Sequence, residues 1–168
     1  MVLLFWDASA LAKRYTEEVG NEIANRLFEH KPSLSMASTP WGFAETFSIL
    51  LRRLNGNRIS RFSFESSVSS LQQEIFHNPE FTLFTVSDEQ IFLSTAIMRK
   101  HNLNSTDAAI LSVILATRTS SDAPEIVVVA ADKRLLRAAE AEGLRTLNPE
   151  EMSLDELSAF ISSLKSTI

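Results

Sequence analysis

The chain has 168 residues, 45% of them apolar, a formal net charge of −5 and no cysteine. This length supports one domain with a sizeable core, so we predict a single domain over residues 1–168, with its core at about 2–149 and a last helix at about 153–165. The composition excludes disulfides, thiolate metal sites and a thiol nucleophile, and no apolar run is long enough for a membrane helix, so we expect a cytoplasmic protein with no membrane partner.

Short apolar runs alternate along the chain with longer stretches of helical period. This pattern is typical of an α/β protein with a mostly parallel central sheet. The predicted strands cover residues 2–6, 34–37, 82–86, 126–129 and, more weakly, 144–147. Each run is followed by helix-forming sequence, as expected when helices connect parallel strands.

Capping residues mark where several helices begin. Thr39 followed by Pro40 starts a helix that we predict over residues 39–54. Ser87 and Gln90 have the spacing of a capping box for a helix over 87–101. The remaining predictions are helices over 60–76, 105–118 and 132–142 and a surface loop over 119–124. The stripe of helix 39–54 that we expect to be buried consists of Phe43, Phe47, Leu50, Leu51 and Leu54.

Acidic residues stand where two of the predicted strands end. Asp7 ends the first strand, and Asp132 comes shortly after the fourth. In an open parallel sheet the ligand site lies at the carboxyl ends of the strands, so these two carboxylates meet if the strands are neighbours. Asp107, at the start of one helix, and Glu45, in the second turn of another, are candidates to converge with them.

A purely structural role is an open alternative for three of these residues. Asp7, Asp107 and Asp132 all stand near helix starts, where an aspartate caps free N–H groups and contributes about 1 kcal/mol. Glu45 lies too deep in its helix to be a cap, and no cation stands three or four residues from it. Near Trp41, which we expect in the core, this charge is costly unless something neutralises it. Mg²⁺ and Mn²⁺ prefer such oxygen ligands.

Four stretches, in order, resemble the acidic motifs of the PIN-domain family. They are Asp7-Ala8-Ser9, the mid-helix Glu45, Asp107-Ala108-Ala109 and Ala131-Asp132-Lys133-Arg134. The sequence is most similar to the VapC-type ribonuclease toxins of toxin-antitoxin systems. The resemblance implies a PIN-like α/β fold, with a central mostly parallel β-sheet flanked by helices on both sides. It also implies an endoribonuclease that uses one or two Mg²⁺ or Mn²⁺ ions, a cognate antitoxin and a homodimer.

The resemblance assigns the site residues by their positions in the motifs. The catalytic and metal-binding residues are, by this likeness, Asp7, Glu45, Asp107 and Asp132. Ser9 is the hydroxyl residue that supports the site, and a metal-activated water is the implied nucleophile on RNA. Members often carry Thr or Ser where this chain has Ala130. Ala130 and the acidic charge keep open an alternative, a catalytically weak PIN-like module that binds RNA or a partner protein.

A net charge of −5 is unusual for a protein that holds nucleic acid, because such proteins are commonly basic. We therefore predict a local basic rim around the site. The candidate RNA-binding residues are Lys13, Arg14, Arg52, Arg53, Lys133 and Arg134. The alternative, that these cations are only solvated helix faces, stays open.

Histidine is not expected to contribute to the site. His30, His77 and His101 lack the spacing of metal ligands, and we predict them at the surface. The apolar faces of the helices over 39–54 and 60–76 are candidate contacts for a second copy of the chain or an antitoxin.

Overall fold

The computed structural model of the chain describes residues 2–29, 34–119 and 125–165. Five strands form one sheet in the order β3-β2-β1-β4-β5, and every neighbouring pair is parallel. The strands are β1 Val2–Trp6, β2 Ser35–Ser38, β3 Phe81–Leu83, β4 Glu125–Val129 and β5 Arg145–Leu147. The predicted α/β fold with a mostly parallel sheet is confirmed, and the sheet is wholly parallel within the described ranges.

The helices from residue 39 onwards follow the predicted order, and two further helices precede them in the described part of the chain. They are α1 Ala8–Leu11, α2 Asn21–Glu29, α3 Pro40–Asn55, α4 Arg61–Leu71, α5 Asp88–His101, α6 Ser105–Arg118, α7 Lys133–Ala141 and α8 Leu154–Lys165. Ser87 and Gln90 form the predicted capping box of α5. Of the predicted loop over 119–124, residues 120–124 lie outside the described part of the chain. None of the described helices is both long enough and apolar enough to cross a bilayer.

Two boundaries differ from the prediction by more than one residue. β3 ends at Leu83 because it is the edge strand next to β2, and beyond it the Phe84 N–H donates to the Ser38 carbonyl at 2.9 Å as a last link. The helix predicted over 60–76 is α-helical only to Leu71 and continues as a π-helical segment, Gln72–Phe76. Similarly, a 3₁₀ turn, Ala12–Tyr15, extends α1.

Both faces of the sheet are covered, which is why β1 is apolar along its whole length. Leu4 and Trp6 point to one face and pack in a core with α2, α3, α4 and α8. Leu3 and Phe5 point to the other face and pack with α6 and α7. Every β1 residue is buried. The predicted placement of helices on both sides of the sheet is therefore confirmed.

Two apolar residues of α3 that were expected in the core are exposed. The rest of the predicted stripe packs against the core, but Leu51 is 37% exposed because it lies one position round the helix from the buried Leu50. Trp41 is 58% exposed. It stands two positions before Phe43, which is about 200° round the helix axis, so it faces away from the core.

The first turn of α3 lies close to the end of β1, and this brings Glu45 towards Asp7. The Ser38 hydroxyl, at the end of β2, donates to the Trp6 carbonyl at 2.8 Å. Gly42 lies directly over this hydroxyl, and a Cβ at position 42 would overlap its oxygen. A side chain there would push α3 away from the sheet, so this glycine sets how closely α3 approaches the site.

The predicted surface position of the histidines holds for one of them. His77 is exposed. The prediction is wrong for His101, whose side chain is 10% exposed because Glu142, just after α7, holds its Nε2 at 2.6 Å. His30 lies outside the described residues.

Candidate active site

Four acidic side chains from four parts of the fold line one cavity of about 290 Å³. Asp7 follows β1 and Asp132 follows β4, and because these strands are neighbours the two residues meet at the carboxyl edge of the sheet. Glu45 comes from the second turn of α3 and Asp107 from the first turn of α6. The cavity is lined by Asp7, Ala8, Ser9, Glu45, Ser48, Ile49, Arg52, Asp107 and Asp132.

Ser9 joins the ends of the two central strands. The Asp7 N–H donates to the Val129 carbonyl at 2.9 Å, which carries the β1–β4 pairing up to the site. Asp7 Oδ2 accepts hydrogen bonds from the Ser9 N–H at 2.9 Å and from the Ser9 hydroxyl. The same hydroxyl accepts from the N–H groups of Ala131 at 2.9 Å and Asp132 at 3.2 Å. This one oxygen therefore fixes the Asp7 carboxylate relative to the turn that carries Asp132.

Ala130, the departure from the family pattern, is wholly buried and offers no polar side chain. Its own N–H donates to the Leu147 carbonyl at 3.1 Å and so belongs to the sheet. The hydroxyl that reaches the next N–H, that of Ala131, comes instead from Ser9. The backbone after β4 is thus held without a hydroxyl at position 130.

The capping alternative is correct for two of the three aspartates. Asp7 caps α1, and Asp132 caps α7 through Oδ1, which accepts from the N–H groups of Arg134 at 2.7 Å and Leu135 at 3.3 Å. Asp107 is not a cap, because Asn104 is the cap of α6. Capping and lining the cavity are compatible, since Asp7 and Asp132 do both.

Asn104 orients the Asp107 carboxylate. Its Oδ1 accepts from the Asp107 N–H at 2.9 Å, and its Nδ2 donates to Asp107 Oδ2 at 2.8 Å. The sequence analysis missed this residue. Its signal was an Asn three residues before an Asp at a helix start, the spacing of a cap.

The carboxylates of the cavity raise one another's pKa. The pKa of Asp107 is raised to about 6, first by burial and then by the charges of Asp7 and Asp132. Burial also raises the pKa of Asp7, opposed by the hydrogen bonds from Ser9. The pKa of Glu45 is raised by burial and then by Asp7 and Asp107, and no described residue forms a hydrogen bond with its carboxylate. Glu45 therefore lacks the internal hydrogen-bond partner that a structural carboxylate usually has, and only the charge of Arg52 acts to lower its pKa.

The donor set suits a hydrated Mg²⁺ or Mn²⁺ ion. No group of three or more His, Cys, Asp or Glu side chains within the described ranges forms a ready-made metal cage. Mg²⁺ does not need one, because it commonly keeps several waters and binds through one or two carboxylates plus substrate phosphate. All four acidic residues offer hard oxygen ligands, and a cavity of about 290 Å³ has room for an ion with its waters.

Three of the six cations predicted for a basic rim are engaged in ion pairs inside the fold. The prediction of a surface position is wrong for Lys13, whose side chain is 3% exposed and lies 2.5 Å from Glu150 Oε1. Arg14 is bound by Glu74 at 2.7 Å and Arg53 by Glu18 at 2.6 Å. These ion pairs neutralise the three cations, so we expect the three side chains to contribute little to RNA binding.

The other three cations of the predicted rim are exposed. Lys133 pairs with Glu151 at 2.6 Å, and Arg134 Nη2 lies 3.8 Å from Asp132 Oδ2. Arg52 differs from both, because it lines the acidic cavity itself. The sequence carried a signal for this position, since Arg52 follows Glu45 by seven residues and therefore lies on the same face of α3.

We expect replacement of Ser9 by alanine to destabilise the protein by about 1–2 kcal/mol, because two N–H groups lose their acceptor and Asp7 loses a donor. The melting temperature in EDTA should fall by roughly 2–8 °C. Ser48→Ala is the control, since the one hydrogen bond of its hydroxyl with a described residue is to the exposed side chain of Arg52. Equal melting temperatures for the two variants would contradict the bracing role of Ser9.

Comparison with known proteins identifies the fold. No protein-family model and no curated protein sequence matches the chain. Among solved structures, PAE2754 from Pyrobaculum aerophilum has a TM-score of 0.60 at 14% identity over 98% of this chain and 96% of that one. Mycobacterium tuberculosis VapC20, a sarcin-ricin loop cleaving toxin, has a TM-score of 0.61 at 16% identity over 84% and 95% of the two chains.

A third structure, VapBC2 from Rickettsia felis bound to a DNA fragment from their promoter, has a TM-score of 0.56 at 12% identity. The match covers 88% of this chain and 98% of that one. At these identities the likeness concerns the fold alone. The PIN-like fold that the four acidic motifs predict is confirmed.

Proposed function

We propose that this chain, which shares the fold of these VapC structures, is a metal-dependent endoribonuclease of the PIN-domain family. The observation that carries the proposal is the convergence of Asp7, Glu45, Asp107 and Asp132 on one cavity. The pKa values of Asp7, Glu45 and Asp107 are raised, which indicates a cluster of negative charge that the nearby cations Arg52 and Arg134 offset only in part. A divalent cation is the ligand that such a cluster favours.

The four acidic residues would hold one or two Mg²⁺ or Mn²⁺ ions. Such an ion, when bound, lowers the pKa of a coordinated water and neutralises charge on the phosphate. Ser9 and Asn104 orient the carboxylates of Asp7 and Asp107, so these two ligands need little reorganisation. The Ser9 hydroxyl is not a nucleophile in this scheme, because it already donates to Asp7 and accepts from two N–H groups.

We further propose that the chain is the cytoplasmic toxin of a toxin-antitoxin pair and forms a homodimer. Support for an antitoxin comes from the shared fold with a VapBC2 structure and from two exposed aromatic side chains, Phe62 on α4 at 85% and Phe76 in the π-helical segment at 63%. α5 exposes three consecutive apolar residues that the sequence analysis did not single out, Ile91, Phe92 and Leu93. Apolar patches of this kind commonly mark contacts with other proteins.

The decisive assay is cleavage of a panel of structured RNAs in Mg²⁺ or Mn²⁺. Products are expected from the unaltered chain and from the control Asp88→Asn, which neutralises an exposed aspartate on α5. Products should be lost in EDTA and in Asp7→Asn. Equal products under all four conditions would overturn the proposal.

The second candidate function is a catalytically weak PIN-like module that binds RNA or a partner protein. Ala130 and the net charge of −5 favour it. Binding of the RNA panel without any metal-dependent cleavage by the unaltered chain would support this candidate and overturn the ribonuclease.

A further inference from the structure

Arg52 supplies the cation of the acidic cavity. It lines the cavity with Glu45, Ser48 and Ile49, which precede it on α3 by seven, four and three residues. This spacing places all four side chains on one face of the helix. Among the described residues, no other Lys or Arg side chain lines this cavity.

The guanidinium of Arg52 forms no ion pair within 4 Å among the described residues, although four carboxylates border the same cavity and its charge lowers the pKa of Glu45. Its Nη1 donates to the Ser48 hydroxyl at 2.8 Å, an exposed contact within the same helix. The next residue, Arg53, is by contrast held by Glu18 at 2.6 Å. Arg52 is therefore oriented by a neutral group while its charge stays available to an anion.

A phosphodiester that enters this cavity meets a strongly negative surface. A metal ion offsets part of that repulsion, and a guanidinium offsets more of it because its donors match two phosphate oxygens at once. We propose that Arg52, oriented by Ser48, binds the scissile phosphate and so positions an RNA strand across the acidic cavity. This inference rests on the proposed ribonuclease function and identifies the residue by which the same site holds its substrate.

The test measures how tightly the Asp7→Asn protein binds a short single-stranded oligoribonucleotide in the presence of Ca²⁺. Fluorescence anisotropy gives the affinity over a range of salt concentrations. Into this background we would place Arg52→Gln, Arg52→Lys and the control Arg58→Gln. Arg58 is matched because it is exposed, carries one positive charge and lies outside the cavity lining.

We expect Arg52→Gln to weaken binding by about 10-fold or more, since it removes a charge-assisted contact. The slope of the logarithm of affinity against the logarithm of salt concentration should become shallower by about 0.7, the value for one phosphate contact on a single strand. Arg52→Lys should keep the slope, because the charge remains. Arg58→Gln should leave both affinity and slope unchanged.

The proposal is overturned if Arg52→Gln keeps the salt dependence of the parent protein. It is also overturned if Arg58→Gln loses as much affinity as Arg52→Gln, because equal losses would indicate only general electrostatic attraction. No binding at all by the parent protein also overturns it. Intact, Arg52-dependent binding together with no cleavage by the unaltered chain would overturn the ribonuclease function and leave the phosphate contact standing.

Discussion

Replacement of Glu45 by glutamine is expected to lower Mg²⁺-dependent RNA cleavage by about 100-fold or more. Loss of groups that only orient metal ligands commonly costs 10- to 100-fold, roughly, and a ligand itself should cost at least as much. Glu45 is the most informative of the four acidic residues because it caps no helix and no described residue forms a hydrogen bond with its carboxylate. Its neutralisation therefore removes a charge from the cavity and no contact from the fold.

Cleavage rate and Mg²⁺ affinity by calorimetry are the measurements for Glu45→Gln. Glu65→Gln is the control, because it neutralises an exposed glutamate on α4 whose nearest cation, Arg61, lies 3.9 Å away. The melting temperature of Glu45→Gln in EDTA should not fall, so a loss of cleavage cannot be ascribed to unfolding. Cleavage by Glu45→Gln at the rate of the unaltered chain would show that Glu45 has no role in catalysis.

The Asp107→Asn variant is expected to melt higher than the unaltered chain in EDTA, at about pH 8, by roughly 4–8 °C. A pKa of about 6, compared with the ordinary value of 3.8, corresponds to about 2–3 kcal/mol of unfavourable interaction of the ionised carboxylate. Asparagine removes that charge and can still accept the hydrogen bond from Asn104. Thermal unfolding followed by circular dichroism measures the effect.

The pH dependence has a definite sign. The folded chain holds the Asp107 proton more tightly than the unfolded chain, so the stability contribution of Asp107 falls as the pH rises from about 4 through about 6 and stays low above that. The advantage of Asp107→Asn should therefore vanish near pH 4, roughly the unfolded pKa. At higher pH, Mg²⁺ should make the unaltered chain melt above Asp107→Asn, because the ion binds the complete set of carboxylates more tightly than the set that lacks one charge.

A matched control for this experiment is Asp88→Asn, on the exposed first turn of α5. It should change the melting temperature little at either pH. If Asp107→Asn melts lower than the unaltered chain in EDTA and Mg²⁺ changes neither protein, the carboxylate has a structural role and the cluster is not a metal site.

Local signals in the sequence predicted most of the fold. The run Val2–Trp6 is apolar because both of its faces are covered, and Thr39 and Ser87 cap helices through contacts three residues away. Such contacts involve neighbours in the chain, so the sequence displays them directly. The edge strand β3 was placed less well, because it pairs with β2 alone and its end depends on where that pairing stops.

The sequence did not show in the same way which cations are buried in ion pairs and which are exposed. Lys13 is buried because Glu150, which is 137 positions away along the chain, lies beside it, and Arg53 is neutralised by Glu18 from the segment after α1. Adjacent residues such as Arg52 and Arg53 look equivalent in the sequence, but the helix points them to different surroundings. Trp41 is exposed for a similar reason, because the opposite side of α3 packs on the core.

The sequence by itself determined that Asp7 and Asp132 end two strands of a parallel sheet and that Glu45 is a charge without a local partner. These are consequences of short-range patterns and of the rule that parallel strands end at the same edge. Only the tertiary structure decided that the two strands are neighbours, that Ser9 bridges them, and that Arg52 alone among the predicted rim cations lines the acidic cavity. Those outcomes depend on packing between segments far apart in the chain, which no local pattern specifies.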